Sequence, residues 1–376
     1  MKRETTVVTI SVLILVALGL LMVYSVSAVS PRLGGSTAAR ESKSADANSA
    51  GADKPKTEPA AANTADAAVG ADPAVDPAAA VVAPSTASAK PRQTGIFVKH
   101  VFFLILGLAM FMFLSHLDYH VLGSKPVFYT VVASAVVLLF FVLVPGIGTK
   151  VDGARRWIRI LGQGFQPSEY ARFALVLLLA VTLTRNRLHI THIWSGIFVP
   201  FFFAGCFALL VAAERDVGIP AMMMVAAYVM VYVAGARKFY LGGMVAAGGV
   251  VLAGAIAFFP HRVIRITTYL DPWTYRQGSG WQLIQSLSAF AQGGLWGRGA
   301  GAGEQKLGYL PAAHTDFIFA TIGEEFGLVG TILVVLVFVA FTWAAIRIAM
   351  NAIDLFGTLL AAGMCTMISF QAAFIM

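Results

Sequence analysis

Residues 317–346 read FIFATIGEEFGLVGTILVVLVFVAFTWAAI, and after Glu324 and Glu325 no charge interrupts the run. A bilayer core takes ~20 apolar residues per helical span, so the part beyond Glu325 is long enough to cross one. A backbone in hydrocarbon has to satisfy its own hydrogen bonds, and this run lacks the alternation of a barrel strand. It therefore reads as a transmembrane helix. Eight further apolar runs have the same character, at 7–29, 97–117, 126–144, 170–184, 193–213, 219–234, 241–259 and 355–376. The hydrophobic fraction is 58% and only 12% of the 376 residues are charged, about half the charge of a soluble domain. A soluble globular enzyme is excluded, and the expected fold is all-α: a polytopic helical membrane protein with about nine transmembrane helices.

The formal charge of +8 is scattered among apolar runs and forms no dense basic tract, so no nucleic acid partner is expected. Cys206 and Cys365 both lie inside apolar runs and indicate neither a disulfide framework nor a metal cluster. Lys2 and Arg3 precede the 7–29 run, which exceeds the h-region of a signal peptide and reads as an uncleaved anchor, although Ser25 to Ala28 resembles a cleavage site. The expected organisation is an N-terminal transmembrane helix over 1–29, a disordered Ala/Pro-rich extracytoplasmic loop over 30–96, and a membrane domain over 97–376. The middle segment has too little apolar surface to offset the entropy of ordering it.

With the N-terminus cytoplasmic, Lys125, Arg185, Arg187, Arg237, Lys238 and Arg347 all fall on the inner side, as the positive-inside tendency requires. The same count places two polar loops outside, at 146–169 and 260–316. These carry Arg155, Arg156 and Arg159, then Arg262, Arg265, Arg276, Arg298 and Lys306, against that tendency. Binding of an anionic ligand explains such placement, and so do headgroup contacts or salt bridges to a partner.

Asp316 stands where the second loop enters the 317–346 run, with Glu324 and Glu325 about two helical turns deeper. Ionisable groups in a span face a bundle interior or a wet cavity. Asp316 reads either as a base, or as a helix cap or the partner of an arginine, and the two glutamates as interhelical pairing groups. Asp216 precedes another apolar run and suits both an N-cap and a cavity position. Trp157, among the arginines, suits an interfacial anchor or a stacking platform for a sugar. The chain has no phosphate-binding Gly-Lys-Ser/Thr loop, HExxH, paired CxxC, Gly-x-Ser-x-Gly or SxxK motif. ATPases, zinc proteases, serine hydrolases and penicillin-binding acyl enzymes are thereby disfavoured.

Gly153 to Ile158 (GARRWI), Phe165 to Glu169 (FQPSE), Asp216-Val217-Gly218, and the segment from Leu270 to Glu325 with its HTDFIFA block closely resemble the SEDS (shape, elongation, division and sporulation) family. The wording at Gln305 to Pro311 and Ile322 to Glu325 is more similar to the FtsW-like division branch than to the RodA-like elongation branch. The resemblance implies a peptidoglycan glycosyltransferase that polymerises lipid II at the outer face of the cytoplasmic membrane, at the division septum. It implies Asp316 as the catalytic residue and Arg155, Arg156, Trp157, Arg159, Lys306 and His314 as substrate- or pyrophosphate-binding residues. Glu169, Asp216, Gln282, Gln285, Glu324 and Glu325 are the expected cavity or structural supports. Lipid II, a class B penicillin-binding transpeptidase and other divisome membrane proteins are the implied partners. No cofactor and no metal ligand set is assigned, with room left for a divalent cation on the phosphates. A lipid II flippase or a non-catalytic divisome scaffold is the alternative.

Several departures from the family pattern stand out. Members usually have about ten spans and a late Gly-Gly-Ser-Ser block, whereas this sequence stops within its ninth run, so the membrane domain is expected to be incomplete at its C-terminal end. Arg215 and Ile219 replace the usual Pro and Thr around Asp216, and Tyr275-Arg276 stand where Asp-Pro is frequent. The first outer loop is also unusually long.

Overall fold

The computed structural model describes residues 4–17, 19, 93–151, 154–160, 163–214, 216, 218–258, 267–276, 278, 280–303 and 317–376. Helices form where the apolar runs lie: α1 (Glu4–Ala17), then α2 (Gln93–Ser115), α3 (Lys125–Leu143), α4 (Pro167–Arg185), α5 (Val199–Ala213), α6 (Gly218–Val233), α7 (Lys238–Phe258), α8 (Trp281–Gly293), α9 (Ile318–Met350) and α10 (Leu355–Ile375). A π-helical turn, Trp194–Phe198, leads into α5. Among the described residues, five helical segments are long and apolar enough to cross a membrane: Lys125–Leu143, Pro167–Arg185, Trp194–Ala213, Ile318–Met350 and Leu355–Ile375. The protein is a multi-pass helical membrane protein. Most of the expected 30–96 loop and the second half of the 7–29 run lie outside the described residues.

The core forms around α4, whose residues from Ala174 to Val181 are all buried. A helix that is apolar all round is stable only when surrounded, and α3, α5, α6 and α10 pack around this one. The outer helices show the opposite pattern. Phe102 and Phe113 on α2, Phe140 on α3 and Leu336 and Val339 on α9 are all exposed. So much contiguous apolar surface marks the face that meets lipid.

Short connections between α5 and α6 and between α9 and α10 force antiparallel neighbours. At one end of the layer, Tyr119 Oη donates to Asp354 Oδ1 at 2.6 Å, and Asp354 caps α10 through Gly357 N. This contact with the Asp354 carboxylate pushes the Tyr119 hydroxyl up to about 12. Arg185 lies over the Phe128 ring and Arg347 over Trp343.

The opposite end carries a small sheet within a segment expected to be loop. Residues within the expected 146–169 loop form a three-stranded antiparallel sheet of β1 (Gly148–Val151), β2 (Ala154–Ile160) and β3 (Gln163–Phe165). Its register shifts between Thr149 and Lys150: Thr149 faces Trp157, Lys150 faces Arg155, and Arg156 is passed over. This is a β-bulge, a device that re-aims one side chain.

α9 is too long for one crossing. Its 33 residues at 1.5 Å each would span ~50 Å, against a hydrocarbon core of ~30 Å. The helix is interrupted at Gly327, whose φ of 66° and ψ of −162° are non-helical. The stretch beyond the break, 328–350, has the length of a tilted span.

Candidate active site

The bulge at Arg156 turns its guanidinium toward α6, where Nη1 lies 3.4 Å from Asp216 Oδ2. The other carboxylate oxygen of Asp216 accepts from Gly218 N at 2.9 Å and Ile219 N at 3.2 Å. Asp216 is thus the N-cap of α6 and an ion-pair partner at once. The first N–H groups of a helix have no partner inside the helix, and a carboxylate there satisfies them and complements the helix dipole.

Next to this pair, the N-terminus of α4 brings in a second set of polar groups. Pro167 occupies the first turn, where its missing N–H costs nothing. Glu169 then forms an ion pair with Arg172 one turn later. Arg172 is buried and also donates to Gln371 Oε1 of α10 at 2.9 Å, with Met222 Sδ of α6 at 3.9 Å. A guanidinium inside a bundle requires such acceptors, and here it links α4, α6 and α10.

Glu214 follows α5 and is 1% exposed. Neither of its carboxyl oxygens, nor the buried Ser168 hydroxyl, has a hydrogen-bonding partner among the described residues. Burial raises the Glu214 carboxyl to about 7; proximity to Ser168 and the charge of Arg156 pull it down, and Asp216 pushes it further up. It therefore holds its proton to higher pH than an ordinary carboxyl. Arg172, Gln371 and Glu214 were not among the site residues expected from sequence. The available signal was a charged residue three positions after Glu169 in an apolar run, the spacing of helical neighbours.

A third polar group lies where α8 meets α9. Arg298 Nη1 is 3.9 Å from Glu324 Oε1, Arg298 N donates to the Glu324 carbonyl, and Gly301 N donates to Glu325 Oε2 at 3.1 Å. Both glutamates are buried and hold the glycine-rich turn that follows α8.

Of the expected site residues, Arg156, Asp216 and Glu169 thus come together with Arg172, and Glu324 and Glu325 sit at the α8–α9 junction. Trp157 is half-exposed beside Gly164, and its carbonyl accepts from Thr149 Oγ1 at 2.7 Å. Arg155 is half-buried and Arg159 exposed on β2. Gln282 is exposed and Gln285 half-buried on α8, and no hydrogen bond among the described residues joins either to the Asp216 cluster. Asp316, Lys306 and His314 lie outside the described residues. Among the described residues no group of three or more His, Cys, Asp or Glu is placed to hold a metal ion.

The family model described as cell cycle protein, FtsW/RodA/SpoVE, matches residues 78–376. The chain belongs to that family. It is 38% identical over 276 residues to the probable peptidoglycan glycosyltransferase FtsW of Geobacter sp. (strain M18), a match covering 72% of each chain. It is 38% identical to the stage V sporulation protein E of Bacillus subtilis (strain 168), over 73% of this chain and 74% of that protein. The fold is similar to a solved chain from a peptidoglycan synthase complex that coordinates polymerization and crosslinking, with a TM-score of 0.61 and 24% identity over 74% of this chain and 76% of that one. Several further relatives are also named FtsW, in keeping with the division branch of the family.

Proposed function

We propose that this protein is a peptidoglycan glycosyltransferase that polymerises lipid II on the outer face of the cytoplasmic membrane during septal wall synthesis. The observation that carries the reading is the family match over residues 78–376, which takes in every element of the polar cluster and the segment containing Asp316. The N-terminus is cytoplasmic in this reading, so the end of the layer holding Asp216, Glu169 and the sheet faces outward.

In the proposed reaction the Asp316 carboxylate takes the proton of the acceptor sugar 4-hydroxyl. That oxygen attacks the anomeric carbon of the donor, and the bond from this carbon to the phosphate oxygen breaks. Undecaprenyl diphosphate leaves with the electron pair. Charge develops on the leaving diphosphate, where cationic side chains stabilise the transition state more than the ground state. In this reading the arginines have two tasks. Arg156 is engaged with Asp216 and shapes the site, while Arg155 and Arg159 remain on the sheet to meet the diphosphate together with Lys306. Trp157 offers a ring to a sugar face, His314 lies two residues before the base, and Glu324 and Glu325 brace the loop that leads to it.

A class B penicillin-binding transpeptidase is the proposed partner, since the chain has no SxxK acylation motif of its own. The test is incubation of the purified full chain, with that transpeptidase, in lipid II-containing vesicles. Glycan strands support the proposal. Leaflet exchange of lipid II without strands, or neither activity, refutes it in favour of a transporter or a scaffold.

A further inference from the structure

α8 presents three distinct faces. Ser286, Ala289 and Gly293 are buried against α9, where Gly293 lies so close to the Gly323 carbonyl that a Cβ would meet it at 1.9 Å. Phe290 adds an edge contact to Phe319 at 5.7 Å between ring centres. At 3.6 residues per turn, Gln285, Ser288 and Gln292 line one flank, and Gln292 Nε2 donates to Ser288 Oγ. Leu283, Ile284, Leu287 and Ala291 fall on the other side, with Leu287 exposed. No residue of the helix is charged.

The depth of this apolar face is fixed by backbone bonds to α9. Leu328 N donates to the Gly294 carbonyl at 2.9 Å and Val329 N to the Leu295 carbonyl at 3.3 Å. The end of α8 is therefore level with the Gly327 break, where the spanning part of α9 begins. Leu295 and Trp296 are 63% and 81% exposed there. They continue the exposed stripe of Leu328, Val329, Ile332 and Leu336 on α9, the surface that meets lipid. Exposed Trp273 and Tyr269 precede the helix, and tryptophan and tyrosine favour the headgroup level. Arg276 before α8 places positive charge at its N-terminal end, complementary to phosphate headgroups.

We propose that α8 and the turn after it lie in the membrane surface, with Leu287, Leu295 and Trp296 inserted in the headgroup–acyl boundary of the leaflet at which α9 begins. Ser288 and Gln285 lie on the flank turned away from the acyl chains. The occupant of the apolar face is phospholipid, because that face runs without a step into the lipid-facing side of a spanning helix. An amphipathic helix seated in this way buries its apolar side ~5–10 Å into the boundary. The inference concerns how the polar loop is held at the membrane and stands whether or not the glycosyltransferase reading does.

The test uses the full chain carrying Cys206→Ala and Cys365→Ala, with single cysteines at Leu287→Cys, Leu295→Cys or Ser288→Cys labelled by an environment-sensitive fluorophore. The protein is reconstituted alone in phosphatidylcholine–phosphatidylglycerol vesicles. The labels at 287 and 295 should lose emission to a nitroxide lipid labelled near its headgroup, and little to aqueous iodide; the label at 288 should behave in reverse. Iodide quenching at 287 and 295 equal to that at 288 overturns the proposal, as does protection from both quenchers, which would mean that a second copy covers the face. Should labelling impair folding, the intrinsic tryptophan emission of the unlabelled chain is read instead. Trp296→Phe should then reduce the quenching by the shallow nitroxide, and no reduction overturns the proposal.

Discussion

Arg156 and Asp216 meet at 3.4 Å between a β-bulge and a helix N-terminus, and this contact ties the small sheet to the membrane helices. Both halves of the contact arise locally. The bulge aims the arginine, and the orphan N–H groups of α6 hold the carboxylate in place to receive it.

Asp216→Ala removes the cap and the ion pair together, whereas Asp216→Asn keeps an oxygen for the cap. Losing an N-cap costs about 1 kcal/mol, and a partly exposed pair adds no more than about 1 kcal/mol. Thermal unfolding in detergent should therefore rank wild type above Asp216→Asn and Asp216→Asn above Asp216→Ala. Equal midpoints for Asn and Ala would show that the capping bonds contribute nothing.

Glu214 gives stability a pH dependence of defined sign. Its carboxyl rises from 4.5 when unfolded to about 7 in the folded protein, so the folded state holds the proton more tightly. The contribution is fully present below pH 4.5 and is lost as pH rises through about 7. Glu214→Gln should flatten the change in unfolding midpoint across that window and be more stable than wild type on its alkaline side. A wild-type midpoint that rises with pH there for this reason, and is lost in the Gln variant, would reverse the assignment.

Gly327 has a backbone conformation that an L side chain does not tolerate, and a Cβ there would lie 2.4 Å from Gly297 N and 2.5 Å from the Leu295 carbonyl. Gly327→Ala should destabilise by about 1–3 kcal/mol from backbone strain alone, and the clash with the turn after α8 adds to it. Gly107 on α2 has open space around it, so Gly107→Ala should leave stability unchanged or raise it by up to about 1 kcal/mol. Chemical unfolding of the two variants side by side checks the contrast.

Gln371→Leu leaves the buried Arg172 guanidinium without its acceptor on α10. A buried donor left unsatisfied costs about 1–3 kcal/mol, so the midpoint should fall, and Gln371→Glu should lose less than Gln371→Leu. An unchanged midpoint in the Leu variant would mean that Glu169 alone satisfies Arg172.

The spans were readable from sequence because lipid imposes one rule, an apolar run of sufficient length, and the runs at 126–144 and 355–376 match α3 and α10 within a residue or so. The sheet at 148–165 was not, since its strands are short and Gly- and Arg-rich, and its pairing depends on contacts across the loop. Asp216 was readable as a cap because capping is local. Arg172 was missed although Glu169 lies at helical spacing before it, because its second acceptor, Gln371, is distant in sequence and is brought near only by packing of α4 on α10. The break at Gly327 likewise depends on the approach of Leu295 and Gly297 rather than on any signal within α9.

The most direct measurement is lipid II polymerisation by the full chain and its Asp316→Asn variant, reconstituted with the transpeptidase and matched for unfolding midpoint. Removing a general base lowers the rate roughly 10²- to 10⁴-fold, so glycan strands should all but vanish in the variant while lipid II remains intact. Polymerisation by Asp316→Asn at the wild-type rate would contradict the proposal that this carboxylate takes the acceptor proton.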